Sequence, residues 1–520
     1  MPPNFVFIIT DQHRAEHLGC YGNRVLATPH IDALAARGWS ADNLYVASGI
    51  CMPNRASILT GRMPSCHGVR HNGIPLSLGA NTFVESLRQG GYRTVMVGKS
   101  HLQNMTDQGP QWPPAGHPRP AGEAHLAAPG DYRQEQPSFW RAGGEMTLPF
   151  YGFSAVDLAD GHGDDLHGHY WRWLEREHPL AASLAGERQA GRAPGYALAE
   201  AGQAWRTRLP EELHPTSWIG ERTAAHIRDC AGRRQPFFLY CSFPDPHHPF
   251  TPPGRYWDMY RPQDMELPDT FHARTQPPPH LAWLRAQRDA GKAVKNTPGV
   301  FAATAREVRE AIALAYGSIA LIDAQVGRIV DTLRELGLER DTVIVFTTDH
   351  GDFMGDHQLL WKGPLHYRSV VRSPLIWADP EGPRATRGDA LLSAVDIAPT
   401  VLERAGVAGY NGLQGHSMLP LMRGERRSVR DAVLIEEEGQ RVALGFSGRV
   451  RMRSIITARH RMSVYEGAEW AEIYDRQADP DERANLWRGA ADPLAGELSA
   501  AMARTMIGLS ETSPLPTHVA

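Results

Sequence analysis

Cysteine is scarce in this chain: five among 520 residues, at positions 20, 51, 66, 230 and 241. The count is odd and the spacings match no zinc motif, which argues against a disulfide framework. Charge of one sign is also missing. With 54 basic and 58 acidic residues and a formal net charge of −4, nothing suggests a field that would hold nucleic acid or an anionic membrane. No apolar run approaches the roughly 20 residues of a membrane helix. The opening MPPNFVFIITDQ contains only the short run FVFII, with no basic segment before it and no small-residue cleavage site after it. It reads as a strand rather than an export signal, and the expected location is cytoplasmic. Internal repeats and coiled-coil heptads are absent as well.

What remains is an ordinary globular composition, 42% hydrophobic and 22% charged. At this length one core does not serve the whole chain, so a large domain over 1–425 and a smaller one over 426–520 are expected. Phe5–Thr10, Thr94–Val97, Phe237–Phe243 and Thr342–Thr347 are continuous apolar strands. Helices alternate with them, at His30–Arg37, 53–62, Phe83–Gln89 and Ala305–Leu336. That alternation predicts an α/β fold with a large, mostly parallel sheet sandwiched by helices. After about residue 425, DAVLIEEE, RMRSIITAR and HRMSVYEG read as antiparallel strands followed by a final helix, a smaller α+β domain. The long stretches 105–145, 178–215 and 268–300 read as pocket walls.

Polar and ionisable residues repeatedly follow strand ends: Asp11 with Gln12, Lys99 with His101, His247, and Asp349 with His350. Ligand sites in open α/β sheets lie at the carboxyl ends of strands, so these segments converge on one crevice. Asp11, Gln12, Asp349 and His350 together would form a divalent metal site. Their oxygens suit Ca²⁺ or Mg²⁺, and the imidazole admits Mn²⁺ or Zn²⁺. The run GHGDDLHGHY at 161–170 is read as a pocket loop rather than a second metal cluster, because its glycines give no rigid ligand geometry. GICMPNRASILTGR places Cys51 at the mouth of a helix, with Pro53 in the first turn and Arg55 one turn along. A tyrosine-phosphatase loop is excluded there: it needs five residues between Cys and Arg, and the position so required is Ser57.

CMPNRASILTGR resembles the signature C-x-P-S-R-x-x-x-L-T-G-R of the formylglycine-dependent sulfatases of the alkaline phosphatase superfamily. ITDQ, TPHIDALAARG, VGKSHL, PDPHHPF, VIVFTTDHGD, WKGPLHYRSVVRSPLIW, VDIAPTVLERAG and IYDRQADPDERANLW resemble further landmarks of that family, in order. The resemblance implies a sulfuric ester hydrolase in which Cys51 is converted to formylglycine by a formylglycine-generating enzyme. It further implies one divalent metal ion, calcium first, on Asp11, Gln12, residue 51, Asp349 and His350. By the same resemblance Arg55 steadies the nucleophile, Lys99 and Lys362 pair with sulfate oxygens, His247 protonates the leaving oxygen and His101 acts as base. Two departures stand out: Asn54 replaces the usual Ser, and Gln12 with His350 resembles the branch of choline sulfatases and phosphonate monoester hydrolases.

Three functions follow as alternatives. The first is cleavage of a small-molecule sulfate monoester. The second is cleavage of phosphonate monoesters or phosphodiesters at the same site, which the Lys99–His101 pair disfavours. The third is a non-catalytic scaffold, disfavoured because every expected catalytic position holds a competent residue. A homo-oligomer is expected, with the tail SPLPTHVA placed to reach a neighbouring subunit; nucleic acid and membrane partners are not.

Overall fold

The structure is a computed structural model that describes residues 2–110, 128–191, 193, 195–273 and 275–518. Segment 111–127 of the expected 105–145 wall, single positions in the other two walls and the last two residues of the tail lie outside this range.

The main strands are β1 (Asn4–Thr10), β2 (Trp39–Tyr45), β3 (Arg93–Gly98), β4 (Ala155–His162), β5 (Asp165–Gly168), β6 (Phe237–Ser242), β7 (Thr342–Thr348), β8 (Arg372–Ala378) and β9 (Thr386–Gly388). They form one sheet in the order β9–β2–β8–β7–β1–β6–β3–β4–β5, with Leu392–Ser393 also pairing with β2. The five central strands, β7 to β4, are parallel, while β8 runs antiparallel to both its neighbours. The expected mostly parallel sheet is therefore present, with a mixed flank.

Helices cover both faces: α1 (Pro29–Ala36), α2 (Cys51–Thr60), α3 (Phe83–Gln89), α4 (Pro215–Ala231), α5 (Pro279–Asp289), α6 (Ala305–Glu335) and α7 (Ile397–Ala405). The alternation of side chains along β1 separates the two cores. Phe5, Phe7 and Ile9 pack with Met52 and Leu59 of α2, Phe83 and Leu87 of α3 and Val401 of α7. Val6 and Ile8 pack on the opposite face with Ile31 of α1, Ile227 of α4 and Ile322 and Ile329 of α6. By length and composition α6 could cross a membrane, but 83% of its most apolar window is buried inside the fold, so its apolarity serves this core.

The final segment forms β10 (Ala432–Val442), β11 (Arg449–Thr457), β12 (His460–Tyr465) and β13 (Ala471–Asp475), a four-stranded antiparallel sheet in sequence order. Leu434 and Ile455 face Leu498 and Met502 of α8 (Pro493–Gly508). Val433 and Ile435, on the other face, join Tyr45, Phe353 and Val370 of the large sheet's flank. The small sheet is thus cemented to the large one by a shared core.

Two readings of irregular structure are corrected. GHGDDLHGHY is not a loop: it closes β4, forms β5 and begins the helix His169–Glu177. The glycines permit this. A Cβ on Gly168 would stand 2.6 Å from Leu158 O, and its φ of +96° suits only glycine. The wall at 268–300 likewise contains α5.

Gly98, at the end of β3, has φ +99°, and a Cβ there would stand 1.9 Å from the carbonyl oxygen of Ser242. Gly98→Ala is expected to lower stability by about 2 kcal/mol or more through backbone strain and forced separation of β3 from β6. The urea unfolding midpoint checks this; an unchanged midpoint would contradict the close approach.

Candidate active site

Strand register builds the site. β1 and β7 pair from Asn4↔Thr342 to Thr10↔Thr348, so the next residues, Asp11 and Asp349, emerge side by side. The two strand ends are tied: Asp349 N donates to Thr10 O at 3.1 Å, and Thr348 Oγ1 donates to the same oxygen at 3.1 Å. β3 and β6 pair to Gly98↔Ser242, which brings Lys99 to the same edge. α2 is buried along its whole length and points Cys51, its first residue, into the space between these ends. Gly61, at φ 61°, ends the helix. Helix α2 begins two residues earlier than expected, leaving Pro53 still within the first turn, where no N–H is needed.

The ligand atoms of Asp11, Cys51, Asp349 and His350 all lie within 4.8 Å of one another and all four residues are buried. Three buried cations close on them. Arg55 Nε donates to Asp349 Oδ2 at 2.8 Å and its Nη1 to Ser242 Oγ at 2.9 Å. Lys99 Nζ pairs with Asp11 Oδ2 and lies 2.9 Å from His162 Nε2. Lys362 Nζ reaches Cys51 Sγ at 3.0 Å, Gln12 Oε1 at 2.7 Å and His247 Nε2 at 2.9 Å. Burial disfavours the Asp11 carboxylate, but the cations Lys99, Lys362 and Arg55 outweigh it and hold Asp11 well below its usual range.

Cys51 behaves oppositely. Burial first, then the charge of Asp11, push its thiol up to about 11, so it is not a ready thiolate at neutral pH. Burial likewise depresses His101, His247 and His350, leaving all three neutral at pH 7. His350 Nδ1 contacts Gly351 O at 2.9 Å, which directs Nε2 toward Cys51 Sγ at 3.2 Å. Gln12, His101 and Trp361 adopt left-handed backbone conformations, with φ of 57°, 56° and 70°, a concentration of strain typical of functional sites.

All ten residues singled out from the sequence meet here, with two qualifications. Gln12 Oε1 accepts from Lys362 Nζ and its amide nitrogen donates to Asp352 and contacts His248 Nδ1, so it stands at the rim of the four-residue cluster. His101 makes no hydrogen bond with the others; its imidazole feels the charges of Lys99, Asp11 and Arg55, and its buried Nδ1 has no partner. Asn54, which departs from the signature, holds α2 in place: its Oδ1 accepts from Ala47 N at 2.8 Å and its amide donates to Asp349 O.

Sequence reasoning missed four participants: His162, His248, Trp361 and Asp352. His162 stacks on His247 with ring centroids 3.8 Å apart, His247 on His248 at 4.3 Å, and His248 on Trp361 at 3.9 Å. Asp352, raised to about 6 by burial, accepts from Gln12. The signal for His162 was present in the histidine-rich run at 161–170, but a loop reading gave it no direction.

Among the described residues this is the one cluster of His, Cys, Asp or Glu side chains with metal-ligand proximity. Two carboxylates and a nearby amide oxygen are hard donors and the imidazole a borderline one, a set that fits a divalent cation. The same crevice, with three buried cations, suits a tetrahedral oxyanion.

The sequence model of a family described as Sulfatase matches residues 3–407, and one described as N-sulphoglucosamine sulphohydrolase, C-terminal, matches 355–511. The chain is 28% identical to an arylsulfatase of Clostridium perfringens over 94% of its own length and 90% of that protein. It is 24% identical to a choline-sulfatase of Rhizobium meliloti, covering 95% and 84% of the two chains. Among solved structures, the phosphonate monoester hydrolase of Agrobacterium radiobacter superposes with a TM-score of 0.74 at 25% identity, covering 98% of this chain and 95% of that one.

Removing Arg55 leaves a buried carboxylate short of its partner. Arg55→Met is expected to destabilise the protein by about 3 kcal/mol or more, whereas breaking the solvent-screened pair Arg133–Asp131 by Arg133→Met is expected to leave the unfolding midpoint unchanged. Paired chemical denaturation curves measure the difference.

Proposed function

This chain belongs to the sulfatase family, and from that premise we propose that it hydrolyses sulfate monoesters through residue 51 converted to formylglycine, with one divalent cation beside it. The observation that carries this reading is the setting of Cys51. A thiol with its pKa near 11, ringed by Asp11, Asp349, His350 and three buried cations, is poorly suited to act as itself. It is well placed as the precursor of a different nucleophile.

As a hydrated aldehyde, residue 51 supplies one hydroxyl to attack sulfur and a second whose ionisation releases sulfate. Asp11, Asp349 and His350, with Gln12 at the rim, would hold the cation, which supplies Lewis-acid polarisation of a sulfate oxygen. Calcium is the first candidate for it, with Mg²⁺, Mn²⁺ and Zn²⁺ sharing the donor chemistry. Arg55 orients residue 51 and pairs with Asp349. Lys99 and Lys362 bind the sulfate oxygens and stabilise charge as it builds in the transition state. His247, whose Nε2 lies 2.9 Å from Lys362 Nζ, would protonate the leaving oxygen with a proton drawn from water, so that Lys362 keeps its charge on the sulfate. His101, with its free Nδ1, takes the proton when sulfate is released.

Because α2 is buried throughout, a formylglycine-generating enzyme would reach Cys51 only before the chain folds. Mass spectrometry of the Cys51 peptide is expected to show a loss of about 18 Da, thiol to aldehyde. An unmodified thiol in active protein would overturn the mechanism. Chelation is expected to remove turnover and a divalent cation to restore it, with titration of the stripped protein identifying the metal.

The likeness to a phosphonate monoester hydrolase supports a second reading, cleavage of phosphonate monoesters or phosphodiesters at the same site. Lys99 pairs with Asp11 in the crevice, and its removal tests the first reading. Lys99→Ala is expected to lower kcat on 4-nitrophenyl sulfate by about 100-fold or more. Comparison of kcat/KM on that ester, phenyl phosphonate and a phosphodiester ranks the two readings; near-normal kcat in the variant would remove Lys99 from its role.

A further inference from the structure

The segment 99–103, which follows β3, carries both Lys99 and His101, but the two are held differently. Lys99 is fixed from within the crevice: its N–H donates to Ser242 O at 3.0 Å and its ammonium pairs with Asp11. His101 has no such anchor. Its imidazole makes no hydrogen bond in the crevice, its buried Nδ1 has no partner, and its backbone φ is 56°. That left-handed conformation is disfavoured for a residue with a Cβ. Whatever aims this side chain therefore acts through the backbone.

Two acids grip that backbone from outside the crevice. Glu135, in the long stretch 105–145, accepts on Oε1 from Ser100 Oγ at 2.7 Å and Leu102 N at 3.1 Å. Its Oε2 accepts from Gln103 N at 3.1 Å. Asp160, on β4, accepts from Ser100 N at 3.0 Å through Oδ1, and its Oδ2 has no partner. The residues on either side of His101 are thus fastened. Glu135 is braced in turn: Gln134 N donates to Gln103 Oε1 at 3.0 Å, and His167 Nε2 lies 2.7 Å from Glu135 O. His167 stands opposite Asp160 where β4 pairs with β5, so the run GHGDDLHGHY belongs to the same assembly. Both acids are completely buried; burial raises both, and the charge of Asp160 adds to the rise at Glu135. Buried acids are costly acceptors, and features of that kind concentrate where a functional shape has to be kept.

We propose that Glu135 and Asp160 are positioning residues for catalysis, a two-sided clamp that fixes Ser100, Leu102 and Gln103 so that His101 keeps its imidazole at the crevice. The proposal rests on the role given to His101 above, that of taking a proton as sulfate leaves. In that step the free hydroxyl of residue 51 gives its proton to His101, the carbon–oxygen bond to sulfate breaks and the aldehyde re-forms. A misplaced imidazole slows this step and leaves the earlier attack on sulfur untouched. The two acids differ in what they supply. Each Glu135 oxygen faces a backbone N–H and needs a lone pair; a carboxyl offers one on both oxygens in either protonation state, whereas the amide nitrogen of glutamine has none. Asp160 uses a single oxygen, which asparagine retains.

Steady-state and stopped-flow rates on 4-nitrophenyl sulfate test the clamp. Glu135→Gln is expected to lower kcat about tenfold, to change kcat/KM less than about twofold, and to release a burst of about one 4-nitrophenol per site. Asp160→Ala is expected to behave alike, and Asp160→Asn to lower kcat only about threefold. In a His101→Ala background, Glu135→Gln is expected to add less than about twofold. Ser100→Ala, which removes one bond to Glu135, is expected to lower kcat about threefold and serves if Glu135→Gln does not fold. Equal losses of kcat and kcat/KM, an undiminished effect of Glu135→Gln on top of His101→Ala, or equal effects of Asp160→Asn and Asp160→Ala overturn the proposal. If His101→Ala keeps near-normal kcat, the role of His101 and the clamp fall together while sulfate hydrolysis stands. If the wild type cleaves phenyl phosphonate or a phosphodiester and no sulfate ester, the sulfate reading falls, and the same double-mutant cycle on that ester decides the clamp. If it cleaves none of the three, both fall.

Discussion

Two carboxylates at the ends of adjacent parallel strands, both removed from water, set the terms for everything around them. Asp11 and Asp349 are fully buried, and an isolated buried carboxylate is costly by several kcal/mol or more. Arg55, Lys99 and Lys362 surround the pair and are themselves buried, each anchored by hydrogen bonds to the strand ends or to the other site residues. Three cations against two carboxylates leave the crevice net positive toward an incoming anion. The arrangement also makes the site brittle, since loss of any one cation strands a charge where water cannot reach it.

The scaffold is what makes such a cluster tolerable. Parallel strands covered on both faces hold their ends in a common register, so polar side chains just beyond them point into one crevice instead of into solvent. Asn54 and Arg55 then fasten α2 to Asp349, and Ser242 at the end of β6 receives Arg55. The stack His162–His247–His248–Trp361 walls the opposite side and fixes imidazole positions that a loop would leave free.

The small C-terminal sheet does more than extend the core. His366, from the segment after Lys362, lies 2.8 Å from Ser454 of β11 and 3.0 Å from Glu437 of β10. That network carries the end of β10 to within contact of the segment before Cys51. The crevice is thus built at the strand ends of the large sheet, and the small sheet braces the segments that lead into it.

Apolar runs such as FVFIIT and TVIVFT, each ending in an acid, announced the parallel core and the convergence of Asp11, Lys99, His247 and Asp349, because buried parallel strands need nothing but continuous hydrophobicity. β8 was illegible for the converse reason: RSPLIWA contains Pro374, which reads against a strand, and the register shift between Ser373 and Leu375 is what accommodates it. The convergence of Asp11, Lys99, His247 and Asp349, and the position of Cys51 at a helix mouth, were thus determined by the sequence alone, since strand ends and local helix chemistry suffice for that. Which of those groups touch, that Gln12 accepts from Lys362, that His162 joins the stack, and that Glu437, 386 residues after Cys51, meets His366, was decided only by the tertiary structure. Contacts across such separations depend on how whole sheets pack, and no local pattern encodes that packing.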